Sequence, residues 1–404
     1  MPTKGSFSLS PAGEAPAWFA ALAVSPFAGV AVMFFAFGLS MGMWSGAAGT
    51  ILLRVNVGAG AYGVALTLFT GVYLFAMSSA GALSRRLTVK RVLIGAALAS
   101  APVLAWLLLA GGPLAFFVAL TVYGFFAGAV DLTMNAAGAR IERGLGRPIL
   151  ARLHCCASAG IAVGAALGGL LAASRAPWAA SVIVVVAMIW AAAVVAVSIP
   201  VDPAADVGTA TIERRGLLSR TLVVIGLVIG VSIACETTAT IWSALILERE
   251  APQWAALSGF GAAFFAGCQA MLRFNADRLR ARFDDRQLIV VSLTVAAVGF
   301  LLVAADAGFA VSVLGFAIIG FGTGSVVPCG FALAASRPGV SAAVGLSTAA
   351  FFGSFARLPA PFITGAVADA ISLAGAFALF ALLLVVAVVA TLVFIPAQAR
   401  PRSS

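Results

Sequence analysis

Long stretches without charge alternate along the chain with short ones rich in Arg, Lys, Pro and Gly. Twelve apolar runs stand out, at 25–47, 61–83, 92–112, 114–138, 151–173, 179–200, 220–246, 256–275, 288–305, 309–335, 341–366 and 373–395. Each is close to the about 20 residues a helix needs to cross hydrocarbon. None shows the strict alternation of a barrel strand, and a backbone in lipid must satisfy its own hydrogen bonds. The pattern therefore predicts an all-α membrane protein of twelve transmembrane helices.

The longest hydrophilic connector, "VDPAADVGTATIERRGLLSR" at 201–220, divides the runs six and six. The expected organisation is a cytoplasmic tail at 1–24, a six-helix bundle at 25–200, a cytoplasmic linker at 201–219, a second bundle at 220–395 and a tail at 396–404. The first apolar run is too long for a signal-peptide core, so the N-terminal segment is expected to stay attached. The halves echo each other: "MWSGA" (43–47) with "IWSAL" (241–245), "GALSRRL" (81–87) with "RFNADRL" (273–279), and "YGFFAGAVD" (123–131) with "IGFGTGSVV" (319–327). Three matches in one order at nearly one offset predict two pseudo-symmetric bundles. Such symmetry places a site between the halves, near the middle of the membrane.

Composition agrees with this pattern. Of 404 residues, 62% are hydrophobic and 9% charged, against roughly 25% charged in an ordinary soluble domain. The net charge of +10 suggests a nucleic-acid partner only where basic residues cluster on a water-facing surface; here they are spread among loops. Nineteen Lys and Arg residues fall on the side that holds both termini: Lys4, Arg85, Arg86, Lys90, Arg91, Arg140, Arg143, Arg147, Arg152, Arg214, Arg215, Arg220, Arg278, Arg280, Arg282, Arg286, Arg337, Arg400 and Arg402. Three, Arg54, Arg175 and Arg249, fall on the other. The positive-inside rule makes the first side, and both termini, cytoplasmic. Five cysteines lie in or beside apolar runs, with no metal-ligand spacing and a single histidine, His154, so they read as small packing residues.

Ionisable groups within the runs are few, and each costs about 2.5–3.5 kcal/mol at a helix centre, so each needs a cavity or a partner. Asp131 lies in the fourth run with Asn135 one turn on, on the same face. It reads as a proton-carrying carboxylate or as a clasp fixed by Asn135 or a nearby Arg. Glu236 lies in the seventh run beside Thr237 and one turn before Thr240, a polar stripe suited to a solute or to a helix–helix hydrogen-bond cluster. Arg357 lies in the eleventh run, just before Pro359 and Pro361 interrupt it. A guanidinium keeps its charge, so Arg357 pairs with Glu236 or Asp131, holds an acidic ligand group, or snorkels. Arg273, with Gln269 one turn before and Asp277 one turn after, is expected to belong to a cytoplasmic latch. His154 reads as a pH sensor or a simply hydrogen-bonded side chain. Trp44 and Trp242, at matched ends of the first and seventh runs, read as interface anchors or as a stacking platform for a ring.

The chain resembles the major facilitator superfamily over nearly its whole length. That family's Gly-x-x-x-Asp-Arg-x-Gly-Arg-Arg signature between spans two and three has a counterpart in "GALSRRLTVK" (81–90). Gly81, Arg86 and Lys90 fit; Arg85 replaces the Asp, and Thr88 and Val89 replace the Gly and Arg. "RFNADRLRARFDDR" keeps the acid as Asp277, followed by Arg278. Within the superfamily the chain is similar to the fucose-permease-like branch, especially its YbjJ-type bacterial inner-membrane members, through "DLTMNAAGARIERGLGRPILARLH", "ETTATIW", "RFNADRL" and "PAPFITG". The resemblance implies two six-helix bundles, a cytoplasmic gate built from Arg86, Lys90, Arg273, Asp277 and Arg278, and secondary active transport coupled to protons. Gly160, Gly164 and Gly168 form a small-residue stripe similar to the Gly-Pro-x-x-Gly-Gly motif of antiporters, with Ala165 in the place of the Pro.

The expected protein is a monomeric inner-membrane transporter that moves a small organic solute by alternating access, in contact with lipid and independent of metal or cofactor. Asp131 and Glu236 are expected to couple protons. Glu236, Thr237, Thr240, Arg357, Asn135, Trp44 and Trp242 are expected to form the solute site. Efflux of amphipathic compounds is the alternative within transport, and a sensor or passive pore the alternative outside it. No catalytic triad, metal cluster or phosphate loop in the right context points to an enzyme.

Overall fold

The computed structural model describes residues 25–199 and 219–396. Lys4, Arg214, Arg215, Arg400 and Arg402, the terminal tails and nearly all of the expected linker lie outside the described residues. Among the described residues the secondary structure is helical, with no strand. The first group of helices is α1 (Pro26–Gly46), α2 (Ala48–Val55), α3 (Ala59–Arg86), α4 (Val89–Leu108), α5 (Pro113–Leu145), α6 (Leu150–Ala173) and α7 (Pro177–Ser198). The second is α8 (Arg220–Glu250), a 3-10 turn (Pro252–Leu257), α9 (Phe260–Arg282), α10 (Asp285–Ala304), α11 (Phe309–Thr323), α12 (Val326–Ala335), α13 (Ala342–Arg357), α14 (Ala360–Ala370) and α15 (Leu373–Phe394).

Local chemistry sets many of the ends. Ser25, Thr88, Ser341 and Ser372 accept hydrogen bonds from the backbone N–H three residues on, which satisfies one of the orphan donors of a first turn. Pro26, Pro113 and Pro177 open their helices, where a missing N–H costs nothing. Gly146 closes α5 and Asn56 closes α2 in the left-handed conformation.

Eleven helical stretches are long and apolar enough to cross a membrane. The eleventh apolar run of the sequence is not among them, because it divides into α13, of 16 residues, and α14, of 11. The division falls at Leu358–Pro359, where the proline has no N–H for the helical ladder. The tenth run is also interrupted, at Gly324–Ser325. Helix α2 is a separate element that the apolar runs do not delimit. It is held by Arg54, whose Nε and Nη2 donate to the carbonyls of Ala110 (3.0 Å) and Leu108 (2.6 Å) at the end of α4.

In lipid, helices are not driven together by water exclusion, so association rests on close packing and hydrogen bonds. The α1–α6 contact illustrates this. Gly160, Gly164 and Gly168 of α6 lie against the carbonyls of Phe35, Leu39 and Met43, and Gly38, Gly42 and Gly46 of α1 lie against those of Ala157, Ile161 and Ala165. A Cβ at any of these six positions would strike backbone. The stripe on α6 is thus one side of a two-sided glycine seam. Outward-facing Phe75, Leu114, Trp178, Trp190 and Ile371 leave an apolar surface, which suits lipid rather than water.

Helices α1–α7 pack chiefly on one another, as do α8–α15, and the groups meet through α6 with α9, α3 with α14, and α1 with α8. Close glycine approaches between them, Gly63 with Gly365 and Gly259 with Gly169 and the Ala165 carbonyl, lie at the end remote from Arg85, Arg86 and Arg278. Ser258 also bridges the groups there, donating to the Gly46 carbonyl at 3.3 Å.

Candidate functional site

Between the two groups lies a cavity of about 250 Å³. Its polar lining comprises Thr70 of α3, Glu236, Thr237 and Thr240 of α8, Gln269 and Arg273 of α9, and Arg357 at the end of α13, with the Tyr73 hydroxyl beside them. Trp44, Phe69, Tyr73 and Phe265 give it an aromatic wall. The positions follow from helical geometry: Glu236, Thr237 and Thr240 share one face of α8, and Gln269 and Arg273, four residues apart, share one face of α9.

Arg273 anchors the polar side. Its Nη2 donates to Glu236 Oε2 at 3.0 Å and its Nη1 to Ser158 Oγ at 2.9 Å. Ser158 in turn donates to Gln269 Oε1 at 3.1 Å, and Gln269 Nε2 donates to Thr323 Oγ1 at 3.3 Å. One network thus ties α6, α8, α9 and α11 together. The Glu236 and Arg273 side chains are 17% and 15% exposed, so little water screens the pair. This corrects the expectation for Arg273: it belongs to the cavity and not to a latch with Asp277, because a carboxylate across the helix interface satisfies it inside the bundle.

On the opposite wall Tyr73 donates to Asp131 Oδ2 at 2.6 Å, while Asn135 Nδ2 donates to Asp131 Oδ1 at 3.0 Å and to the Asp131 carbonyl at 2.8 Å. Asp131 and Asn135 do not line the cavity; Tyr73 stands at its edge and carries the contact inward. The Arg357 guanidinium lies 5.5 Å from the centre of the Tyr73 ring, within cation–π range. The expected ion pair of Arg357 with Glu236 or Asp131 is absent among the described residues. Arg273 occupies the first carboxylate, and Tyr73 and Asn135 occupy the second.

Trp44 lines the cavity, whereas Trp242 packs on Tyr62, with ring centres 4.9 Å apart. Each indole is 1% exposed, so neither is the interface anchor the sequence suggested. His154 meets the edge of Phe34, and the five cysteines are free. No group of three metal-binding side chains occurs among the described residues.

The expected gate residues are not brought together. Arg86, Asp277 and Arg278 are exposed, with Arg278 bonded to Asn275, and Lys90 donates to the Ile199 carbonyl at the end of α7. An ion pair at this end joins Arg280 with Asp285, bidentate at 2.8 and 3.2 Å. The sequence reading overlooked Tyr73, Ser158, Thr323 and Asp285. Tyr73 carried a usable signal: it is one of only three tyrosines, and a phenol deep in an apolar run needs a hydrogen-bond partner.

This arrangement of long apolar helices around a polar cavity at an internal seam defines a solute carrier of the membrane. The family model of the Major Facilitator Superfamily matches residues 27–337, and the chain belongs to that superfamily. It is a multi-pass membrane transporter and not an enzyme. The uncharacterized transporter y4wD of Sinorhizobium fredii is 27% identical over 349 residues, covering 86% of this chain and 92% of that protein. Among solved structures, a single-residue mutant of the nucleoside transporter NupG superposes with a TM-score of 0.73 at 13% identity, covering 92% of this chain and all of that one. A mutant of the E. coli fucose:proton symporter FucP gives 0.55 at 15% identity, covering 91% and 97%.

Proposed function

We propose that this chain is a twelve-span secondary active transporter of the bacterial inner membrane that moves a small polar organic solute together with protons by alternating access. In this reading α13 and α14 cross the membrane jointly as one broken span, residues 25–200 and 220–395 form two six-helix bundles, and the Arg-rich end with both termini is cytoplasmic. The distribution of Lys and Arg supports that orientation. The glycine contacts sealing the opposite end support a state closed to the outside.

One observation carries the coupling. Two carboxylates adjoin one small cavity: Glu236 lines it, and Asp131 reaches it through the Tyr73 hydroxyl. Carboxylates sunk among membrane helices are suited to taking up and releasing protons as access alternates. A fold shared with a fucose:proton symporter is compatible with this reading and with the fucose-permease-like branch. The test is uphill accumulation in proteoliposomes with an imposed pH gradient, using a mixed panel of sugars, nucleosides and organic acids. A protein that only equilibrates its solute, whatever the gradient, is not a proton-coupled transporter.

A further inference from the structure

The cavity presents an uneven set of hydrogen-bonding groups. Thr70, Thr237 and Thr240 spend their hydroxyl protons on the carbonyls of Leu66 (2.8 Å), Ile233 (2.8 Å) and Glu236 (2.7 Å). What each hydroxyl still offers the cavity is acceptor lone pairs. Gln269 is engaged at both ends, by Ser158 and Thr323. The Glu236 charge is met by Arg273. Trp44 Nε1 has no partner but is buried within the wall, so the charged donor left facing the cavity is Arg357, whose planar fork carries five N–H bonds and a permanent charge. Its described contact with a charged or aromatic group is to the face of the Tyr73 ring, which leaves the N–H edge unspent.

A ligand that complements this lining carries an anion for Arg357 and hydroxyl or N–H donors for the threonines, with an apolar face toward Trp44, Phe69 and Phe265. A cation would meet Arg357, and the one carboxylate in the lining, Glu236, already has its charge offset by Arg273 through Oε2, with Oε1 unpartnered but buried in the wall. A neutral polyol would satisfy the threonines and leave the half-buried guanidinium, which keeps its charge, without an anionic partner. Building on the transport reading above, we propose that the solute is a hydroxylated organic monoanion, its carboxylate held by Arg357 and its hydroxyls donating to Thr70, Thr237 and Thr240.

The charge balance supports the same class. Glu236 and Arg273 cancel, and the charged groups facing Asp131 and Tyr73 across α3, α5 and α13 reduce to Arg357 itself. When Asp131 carries a proton, Arg357 is left as the net charge of the site. A monoanion then restores neutrality, so anion and proton load together.

The experiment uses the full chain purified in detergent, with thermal unfolding as the readout, since a ligand that binds only the folded state raises the midpoint. The probes are D-glucuronate, its neutral isostere D-glucuronamide, D-glucosamine and the unhydroxylated cyclohexanecarboxylate. The expected result is saturable stabilisation by glucuronate, with the other three roughly tenfold or more weaker. Arg357→Gln should erase the advantage of glucuronate over glucuronamide, and Arg357→Lys, which keeps the charge, should retain most of it. Equal binding of glucuronate and its amide, an unaltered preference in Arg357→Gln, or no response to glucuronate overturns the assignment. The two readings fail separately. Gradient-driven accumulation of a neutral sugar removes the anion site and leaves proton coupling. Arg357-dependent glucuronate binding without gradient-driven transport does the reverse.

Discussion

Tyr73 and Asp131, on α3 and α5, are joined by a hydrogen bond of 2.6 Å from the phenol to Oδ2. Because Arg357 lies over the same ring, one side chain touches both the carboxylate behind the cavity wall and the guanidinium within it. Tyr73→Phe keeps the ring under Arg357 and removes only the hydroxyl. A hydrogen bond to a charged group contributes about 1.5–3 kcal/mol, so the proton affinity of Asp131 should change once that bond to the carboxylate is gone. The expected result is a displaced pH profile of uptake, measured in proteoliposomes at saturating solute, with binding of solute largely preserved. An unmoved profile would show the bond to be structural.

Asp131→Asn goes further along the same path. It preserves the shape of the side chain and abolishes its titration, while Tyr73 and Asn135 retain a polar partner. Gradient-driven accumulation should be lost, and exchange of labelled for unlabelled solute across the membrane should persist, because exchange needs no net proton movement. Uphill transport at the wild-type level would remove Asp131 from the coupling role.

What the sequence disclosed depended on how local the signal was. Runs of apolar residues are local, so the positions of the long helices followed from them, as did the polar stripe Glu236–Thr237–Thr240 and the Asp131–Asn135 bond across one turn. Partners across helix interfaces are not local. Arg273 has Asp277 four residues on, the usual reach of a helical pair, yet it turns to Glu236, 37 positions away, and to Ser158, 115 away. The glycines of α6 were visible as a stripe, but their counterparts at Gly38, Gly42 and Gly46 acquire meaning only when α1 is seen against them. Even the prolines after Arg357, legible as an interruption, did not fix where α13 ends and α14 begins.

The Glu236–Arg273 pair offers a test of how much the network contributes to the resting structure. Removing either partner alone leaves a charge in a weakly hydrated site, which for buried pairs costs about 3–5 kcal/mol, and partial exposure of both groups lowers that figure. Glu236→Gln and Arg273→Met should each lower the unfolding midpoint in detergent. The double variant should be more stable than the sum of the two losses implies, because no unpaired charge remains. Strict additivity in the double-mutant cycle would mean that the 3.0 Å contact carries no coupling energy.

The proposed alternating access makes a demand on the end of the seam where the glycines meet. Gly60 at the start of α3 and Asp369 near the end of α14 are so close that a Cβ on the glycine would collide with the carboxylate. Cysteines at both positions therefore place their Cβ atoms in the few-ångström range a disulfide needs. The five native cysteines are free, so Gly60→Cys with Asp369→Cys is best made in a background where they are alanine. Oxidation should crosslink the two helices, shown by resistance of a proteolytically nicked linker to separation on a non-reducing gel. Solute exchange in proteoliposomes should stop on crosslinking and return on reduction, since helices pinned at this end have no route to an outward-open state. Full crosslinking with undiminished exchange would mean that solute passes without the seam opening here, and a rocking motion of the two groups would no longer account for transport.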